Sequence, residues 1–167
     1  MDSDEESFRD WVTGAQPGLL RVAVLLTGDS HRAEDLVQEA LVKVALRWRR
    51  LRDERPYSYA TKVMVRDNIS WWRRHRRETV TEVEPMLQSA NDLDRLGQRQ
   101  LLRQALAGLT PRQRAVLVLR YYEDLSEKQV AALMGTSVGT VKSQTHLALR
   151  RLRENAPELA GLLEDVP

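Results

Sequence analysis

A run of small, hydroxyl-bearing and basic residues near the C-terminal end of the chain has the composition of a nucleic-acid contact. Its members are Ser137, Gly139, Thr140, Lys142, Ser143, His146 and Arg150. On a helix, most of these residues share one face. Small residues at a helix start let its N–H groups and its positive dipole approach a phosphate or base edge closely. Lys142 and Arg150 add side chains that bind phosphates or guanine edges.

This face has to be positioned by two helices that flank the short break MGTS at residues 134–137. Ser126 and Gln129 have the spacing of a capping box, and Gly135 suits a left-handed helix end. A second set of residues recurs at intervals of three and four and is predicted to face inward: Val138, Val141, Thr145, Ala148 and Leu152. The pattern is that of a helix-turn-helix, which repressors, response regulators and sigma factors share. The competing interpretation is an ordinary helical hairpin whose polar face meets water.

A second group of basic and aromatic residues lies in YSYATKVMVRDNISWWRRHRRE, residues 57–78. The candidates are Tyr57, Tyr59, Lys62, Arg66, Trp71, Trp72, Arg73, Arg74, Arg76 and Arg77. Arginines that hold phosphates, with aromatic rings that stack on bases, suit unpaired nucleic acid. Since Trp71 and Trp72 are adjacent, they cannot both face the same core, so one is predicted to pack and the other to stay near the surface. The alternative is that both tryptophans close a small core and the arginines only solubilise it.

The net charge of +2 hides basic and acidic blocks. Residues 43–77 carry twelve basic and three acidic side chains, and residues 99–155 carry ten and four. The segment 78–98 between them carries one and five. Two basic blocks divided by an acidic spacer suggest two contacts with a polyanion.

Composition excludes several other classes of protein. The absence of cysteine excludes disulfides and thiolate metal sites. The acidic start MDSDEESFRD lacks the features of a secretory signal, and no apolar run reaches the ~20 residues of a membrane span. These observations predict a cytoplasmic protein without a membrane contact.

The apolar periodicity is helical almost throughout. One long helix is predicted from about Ala33 to Leu51, and helix starts are predicted at Pro17 and Pro56. The fold class is therefore all-α, with two small helical domains joined by a flexible acidic linker. The predicted domains are 1–77 and 99–157, the second with the helix-turn-helix. The linker is 78–98, and a tail follows at 158–167.

With both modules in place, the chain resembles the extracytoplasmic-function (ECF) sigma factors of the bacterial sigma-70 family, over roughly residues 8–155. It looks most similar to the actinobacterial SigE-type subgroup. Three stretches carry the resemblance: GDSHRAEDLVQEALVKVALRW, WWRRHRRE and LTPRQRAVLVLRYYEDLSEKQVAALMGTSVGTVKSQTHLALRRLR. The GTVKS that follows a G-x-S turn is the most specific signal.

The resemblance implies an RNA polymerase sigma factor, not an enzyme, that needs no cofactor or metal. Its implied partners are core RNA polymerase, through the β′ clamp helices and the β flap, and promoter DNA. An anti-sigma factor often holds such proteins. The implied polymerase contacts are Asp35, Leu36, Gln38 and Glu39. The helix of residues 57–77 takes the −10 role, and the face from Ser137 to Arg150 takes the −35 role.

Three positions depart from the family pattern. Arg66 aligns where many relatives have an asparagine near the middle of the −10 helix. Ser70 stands where many have an aspartate before the tryptophan pair, so a base-specific −10 pocket does not carry over by analogy. In the reading helix, QTHLALRR replaces a more general R-x-x-R-A run, so His146 is expected to contribute to a particular −35 preference.

The sequence favours this function over two other classes. A stand-alone regulator that binds operators as a dimer is the main alternative, but no sensor domain or dimer helix is evident and residues 8–77 would have no purpose. An enzyme such as a nuclease is disfavoured, because His31, His75 and His146 are far apart and have no metal-ligand spacing.

Overall fold

The structure is a computed structural model that describes residues 3–75 and 93–159, without the side chains of 93–96 and 98. Its α-helices are α1 (Ser3–Thr27), α2 (Ser30–Ala45), α3 (Trp48–Leu51), α4 (Pro56–His75), α5 (Leu93–Ala107), α6 (Pro111–Leu117), α7 (Glu127–Met134) and α8 (Val138–Asn155). A π-helical turn, Val118–Tyr122, continues α6, and a 3-10 turn, Pro157–Leu159, follows α8. No strand occurs in these described ranges. The chain divides into two compact units, 1–79 and 80–167, which confirms the predicted all-α fold with two helical domains.

In the first unit, α1 is a single helix that passes through Pro17, so the prediction of a new helix start there was wrong. A proline inside a helix removes one backbone hydrogen bond and costs about 3 kcal/mol. Packing on both sides of the proline offsets this cost. Before it, Phe8 packs edge-on against Trp48, with 5.2 Å between ring centres. After it, Leu19 and Val22 are fully buried.

The predicted helix from Ala33 to Leu51 is broken, because α2 ends at Ala45 and the short α3 begins at Trp48. The break turns Trp48 toward α1, where its indole N–H donates to the Ser7 hydroxyl at 2.8 Å. The apolar side of α2 is buried as predicted, including Val37, Ala40 and Val44. The side that points away from this core is therefore available for a partner.

In the second unit, local capping sets the helix ends. Thr110 with Gln113, and Ser126 with Gln129, form the two capping boxes that their spacing predicts. Gly135 ends α7 in the left-handed conformation at φ 66°. Gly135 and the Ser137 N-cap of α8 fix the short turn between α7 and α8, and hence the direction in which α8 leaves it.

Helix α5 begins at Leu93, so residues 93–98 of the predicted linker are helical. A single glycine, Gly97, does not stop the helix. The rest of the predicted flexible linker and the end of the predicted tail lie outside the described residues. None of the described helices combines the length and apolarity needed to cross a bilayer.

Candidate nucleic-acid interface

The polar side of α8 carries the whole predicted duplex-reading set. Its seven residues, from Ser137 to Arg150, are all exposed. Ser137 is the N-cap, and its hydroxyl accepts a hydrogen bond from the Thr140 backbone N–H at 3.1 Å. No side chain larger than serine or threonine stands in the first turn on this side, so a phosphate or base edge can approach the helix end. We call these seven residues the α8 face.

Two details of α8 differ from the sequence prediction. Val138 was predicted to face inward, but it lies in the first turn and is 38% exposed. Arg150 donates to the Glu154 carboxylate at 3.3 Å one turn later. Because both side chains are exposed, this pair contributes little to stability and does not hold Arg150 away from DNA.

The two tyrosines predicted to stack on bases have partners inside the protein. The ring of Tyr57 lies against α1 at Gly18, where an added Cβ would come within 3.1 Å of its hydroxyl. The ring of Tyr59 lies below the Arg47 guanidinium, 5.8 Å from the ring centre. Both tyrosines are half-buried, which favours a packing role at the start of α4.

The basic residues of α4 are better placed for a contact. Arg66, Arg73 and Arg74 are exposed, and Lys62 is half-buried. We call these four the basic stripe of α4. Arg76 and Arg77, predicted to extend it, lie outside the described residues.

The tryptophan pair near the end of α4 has an ordered arrangement. Trp71 and Trp72 meet edge to face, with 5.2 Å between ring centres and 88° between planes. The Arg32 guanidinium carbon lies 3.3 Å from the ring centre of Trp71. The His75 imidazole is stacked on the same ring at 4.1 Å, with planes inclined by 13°. Two groups so close to one ring centre would overlap on a single face, so they cover opposite faces of Trp71.

Arg32 comes from the first turn of α2, which Asp29 caps. Burial lowers the pKa of its guanidinium to about 10, and the Asp29 carboxylate opposes this shift in part. The group therefore remains charged at neutral pH. Its Nη2 donates to the Asn68 side-chain oxygen at 3.0 Å. Its charge over the ring of Trp71 is a cation–π contact.

The predicted polymerase-binding residues of α2 separate into two groups. Asp35, Gln38 and Glu39 are exposed, whereas Leu36 is only 6% exposed. Leu36 packs with the buried apolar side of α2, and its contact with the polymerase stays a prediction. Val42 and Leu46, which the sequence analysis did not select, are 57% and 78% exposed on the same side. Val42 does not share the three- and four-residue spacing of the buried apolar residues of α2, and this spacing would have identified it as an exposed apolar residue.

A groove of about 280 Å³ runs between α2 and α4 in the first unit. Its lining includes Asp35, Glu39, Trp71 and Arg74, so the acidic side of α2 and the end of the basic stripe border on the same space. The Lys43 ammonium and the Asp67 carboxylate, 2.6 Å apart, join the two helices across it.

A cluster of arginines in RWRRLRDER, residues 47–55, was counted in the basic block but not assigned to a site. Arg49 and Arg52 both form ion pairs with Asp4 of α1. Arg50 of α3 and Arg55, which directly precedes α4, are also exposed. Among the described residues, no group of three histidine, aspartate or glutamate side chains could hold a metal ion.

Family models match the two units separately. Residues 11–78 match the model for sigma-70 region 2, which includes α2, α3 and α4. Residues 99–152 match the model for sigma-70 region 4, which includes α6, α7 and most of α8.

Curated relatives and a solved structure are similar over most of the chain. The RNA polymerase sigma-E factor of Streptomyces avermitilis is 41% identical over 149 residues, covering 88% of this chain and 83% of that one. The ECF RNA polymerase sigma factor SigL of Mycobacterium tuberculosis is 34% identical, covering 84% of both. The sigma factor RpoE of Bartonella quintana, solved in complex with the anti-sigma factor NepR, aligns with a TM-score of 0.69 at 26% identity. That alignment covers 89% of this chain and 95% of RpoE.

Proposed function

Because the chain belongs to the sigma-70 family of RNA polymerase sigma factors, we propose that it binds core RNA polymerase and directs transcription initiation at specific promoters. The α8 face would read the −35 duplex, and α4 would hold the opened −10 strand. The observation that carries the proposal is the full exposure of the α8 face at a capped helix start, in a chain that also carries the basic stripe of α4.

Polymerase binding is assigned to the outer side of α2. Asp35, Gln38 and Glu39 supply a polar surface that can pair with arginines of the β′ clamp helices. Val42 and Leu46 extend this surface with apolar area, whose burial by a partner is favourable. The second unit is proposed to contact the β flap.

Recognition of the −35 element is assigned to the α8 face. The N-terminal turn approaches the DNA, where Ser137 and Thr140 donate to phosphates and the helix dipole adds attraction. Lys142 binds a phosphate, and His146 and Arg150 reach base edges in the major groove. This division predicts that Lys142 supplies affinity and that His146 supplies sequence preference.

Recognition of the opened −10 strand is assigned to α4. The basic stripe holds phosphates, and Trp72 offers a ring for base stacking. The arginines of residues 47–55 add sequence-independent attraction, since each phosphate contact releases a counterion. Extruding a base costs a few kcal/mol, which these contacts offset.

The remaining assignments follow from this function. We propose a −10 domain of residues 1–77 and a −35 domain of residues 99–157, which the separate family matches support. The protein would act in the cytoplasm beside the polymerase, without catalytic activity, a cofactor or a metal of its own. An anti-sigma factor is proposed as a further partner, because the similar RpoE was solved bound to one.

The experiment is a reconstituted transcription assay on fragmented genomic DNA. Core RNA polymerase is incubated with or without the chain, and transcript 5′ ends are mapped. We expect discrete starts that depend on the chain and are preceded by a shared pair of elements. Binding to DNA without specific starts would instead support a stand-alone regulator, which the family matches do not favour.

A charge-reversal variant tests the polymerase surface. Asp35→Lys combined with Glu39→Lys places like charges against a basic partner, so we expect at least about tenfold weaker binding to core polymerase. Asp10→Lys, an exposed site on α1, is the control for the added charge. Equal binding by the wild type and the double variant would remove this surface from the proposal.

A further inference from the structure

Trp71 cannot serve as a stacking platform in the observed conformation. Arg32 covers one face of its ring and His75 covers the other. The His75 Nδ1 lies 2.8 Å from the Trp71 backbone oxygen, which can only accept, so Nδ1 donates and fixes the imidazole in place. A base would have to displace one of these groups before it could stack on Trp71.

The orientation of Arg32 is itself fixed by buried contacts. Asn68 is 1% exposed and accepts from Arg32 Nη2. The Asn68 amide nitrogen donates to the Leu26 backbone oxygen, 3.2 Å away, in the last turn of α1. The Arg32 Nη1 atom is also buried and has no hydrogen-bond partner within residues 3–75 and 93–159. The stack on Trp71 is therefore a main contact of the guanidinium around Nη1.

We infer that Arg32 is a positioning residue for −10 strand capture, which holds Trp71 as a packed support so that Trp72 presents its ring to the opened strand. The inference rests on the proposed function. Trp72 is half-buried. It meets Trp71 edge to face, so the position of one ring limits that of the other. The Arg32 guanidinium also lies 5.5 Å from the Trp72 ring centre, which ties both rings to α2.

Arg32 acts through tryptophan in this scheme and does not itself bind DNA. A phosphate contact and a positioning role both predict that Arg32→Gln weakens capture of the opened strand. They differ when Trp72 is already absent. If Arg32 binds a phosphate, Arg32→Gln weakens DNA binding by the same factor in a Trp72→Ala background. If Arg32 only positions Trp72, Arg32→Gln has no further effect once Trp72 is absent.

The test measures two affinities for four full-length chains: wild type, Arg32→Gln, Trp72→Ala and the double variant. The first affinity is for core RNA polymerase. The second is the affinity of each holoenzyme for a labelled promoter fork, in which duplex DNA ends in an unpaired −10 strand. Arg9→Gln is the matched control, since Arg9 is an exposed arginine of the same unit whose guanidinium pairs with Glu5 on the surface of α1.

We expect core affinity to change by less than about twofold and fork affinity of Arg32→Gln to fall about three- to thirtyfold, the range of a desolvated cation–π contact. The double variant should bind the fork within about twofold of Trp72→Ala alone, because coupled residues are not additive. Losses that multiply in the double variant, or wild-type fork affinity in Arg32→Gln, would overturn the inference.

Failure of the proposed function gives a different result, since the wild-type holoenzyme would then not bind the fork.

Arg32→Lys keeps the test valid if Arg32→Gln does not fold. Lysine retains the charge but lacks the planar group that stacks on an indole. We expect its fork affinity to lie between those of the wild type and Trp72→Ala. Full wild-type affinity in Arg32→Lys would show that charge alone suffices and would contradict the stacking role.

Discussion

The two candidate DNA surfaces are built in different ways. The end of α4 depends on tertiary contacts, since Trp71 is held by Arg32 from another helix and Asn68 joins Arg32 to α1. The α8 face depends on local backbone geometry, set by the Ser137 cap and the turn at Gly135. A substitution at the first surface should therefore act through its neighbours. A substitution at the second should remove one contact or one cap at a time.

The largest effect is expected for Trp72→Ala at the tertiary surface. Loss of one base–aromatic stack costs about 1–3 kcal/mol, so strand opening should fall at least about fivefold. Binding to core polymerase should be spared. Opening is measured by permanganate reactivity of −10 thymines. Trp11→Phe is the control, since the Trp11 ring packs against Phe8 and Trp48 away from α4. Unchanged reactivity would remove Trp72 from strand capture.

The next effect tests how far backbone geometry controls the second unit. Asp124 has φ 54°, in the left-handed region, just before α7. A β-branched residue is strained there, so Asp124→Val should destabilise this unit by about 1–2 kcal/mol. Hydrogen exchange of α7 amides measures the change. Asp124→Gly is the control. Glycine relieves the strain of the folded state but adds conformational freedom to the unfolded chain, so its two effects on stability oppose each other. Equal exchange in both variants would argue against strain at this turn.

A smaller effect is expected from removing the α8 cap. Ser137→Ala leaves the Thr140 N–H without its acceptor and should cost about 1 kcal/mol. Faster hydrogen exchange in the first turn of α8 would report this loss. Ser143→Ala, on the same face but inside the helix, should change exchange little. If both serines behaved alike, the cap would not be what orders the face.

The smallest effect is expected for Lys142→Ala. One lost phosphate contact should weaken binding to all promoters alike and reduce the salt dependence of duplex binding by about 0.9 in log–log slope. Arg99→Ala, an exposed site on α5, is the control. A loss confined to one −35 sequence would mean that Lys142 reads a base.

The same contrast explains what could be predicted from the sequence. The capping boxes, the left-handed Gly135 and the exposure of the α8 face depend on residues within a few positions of one another, and all were predicted correctly. Each is a local hydrogen bond or a helical spacing, which a single sequence records directly.

Features that depend on distant residues were missed or misplaced. The stack of Arg32 on Trp71 joins two helices, and no local pattern pairs them. Pro17 indicated a helix start, but packing of Phe8 with Trp48 and burial of Leu19 keep α1 continuous. In each case, tertiary packing decided between local options.

The most direct test of the separate roles of α4 and α8 is a pair of footprints on one mapped promoter. Holoenzymes carrying Trp72→Ala or Lys142→Ala are compared with wild type by nuclease protection at −35 and permanganate reactivity at −10. We predict that Trp72→Ala keeps −35 protection and loses −10 reactivity. Lys142→Ala should weaken −35 protection, while the complexes that still form open normally. Proportional loss of both signals in both variants would contradict the assignment of separate roles to α4 and α8.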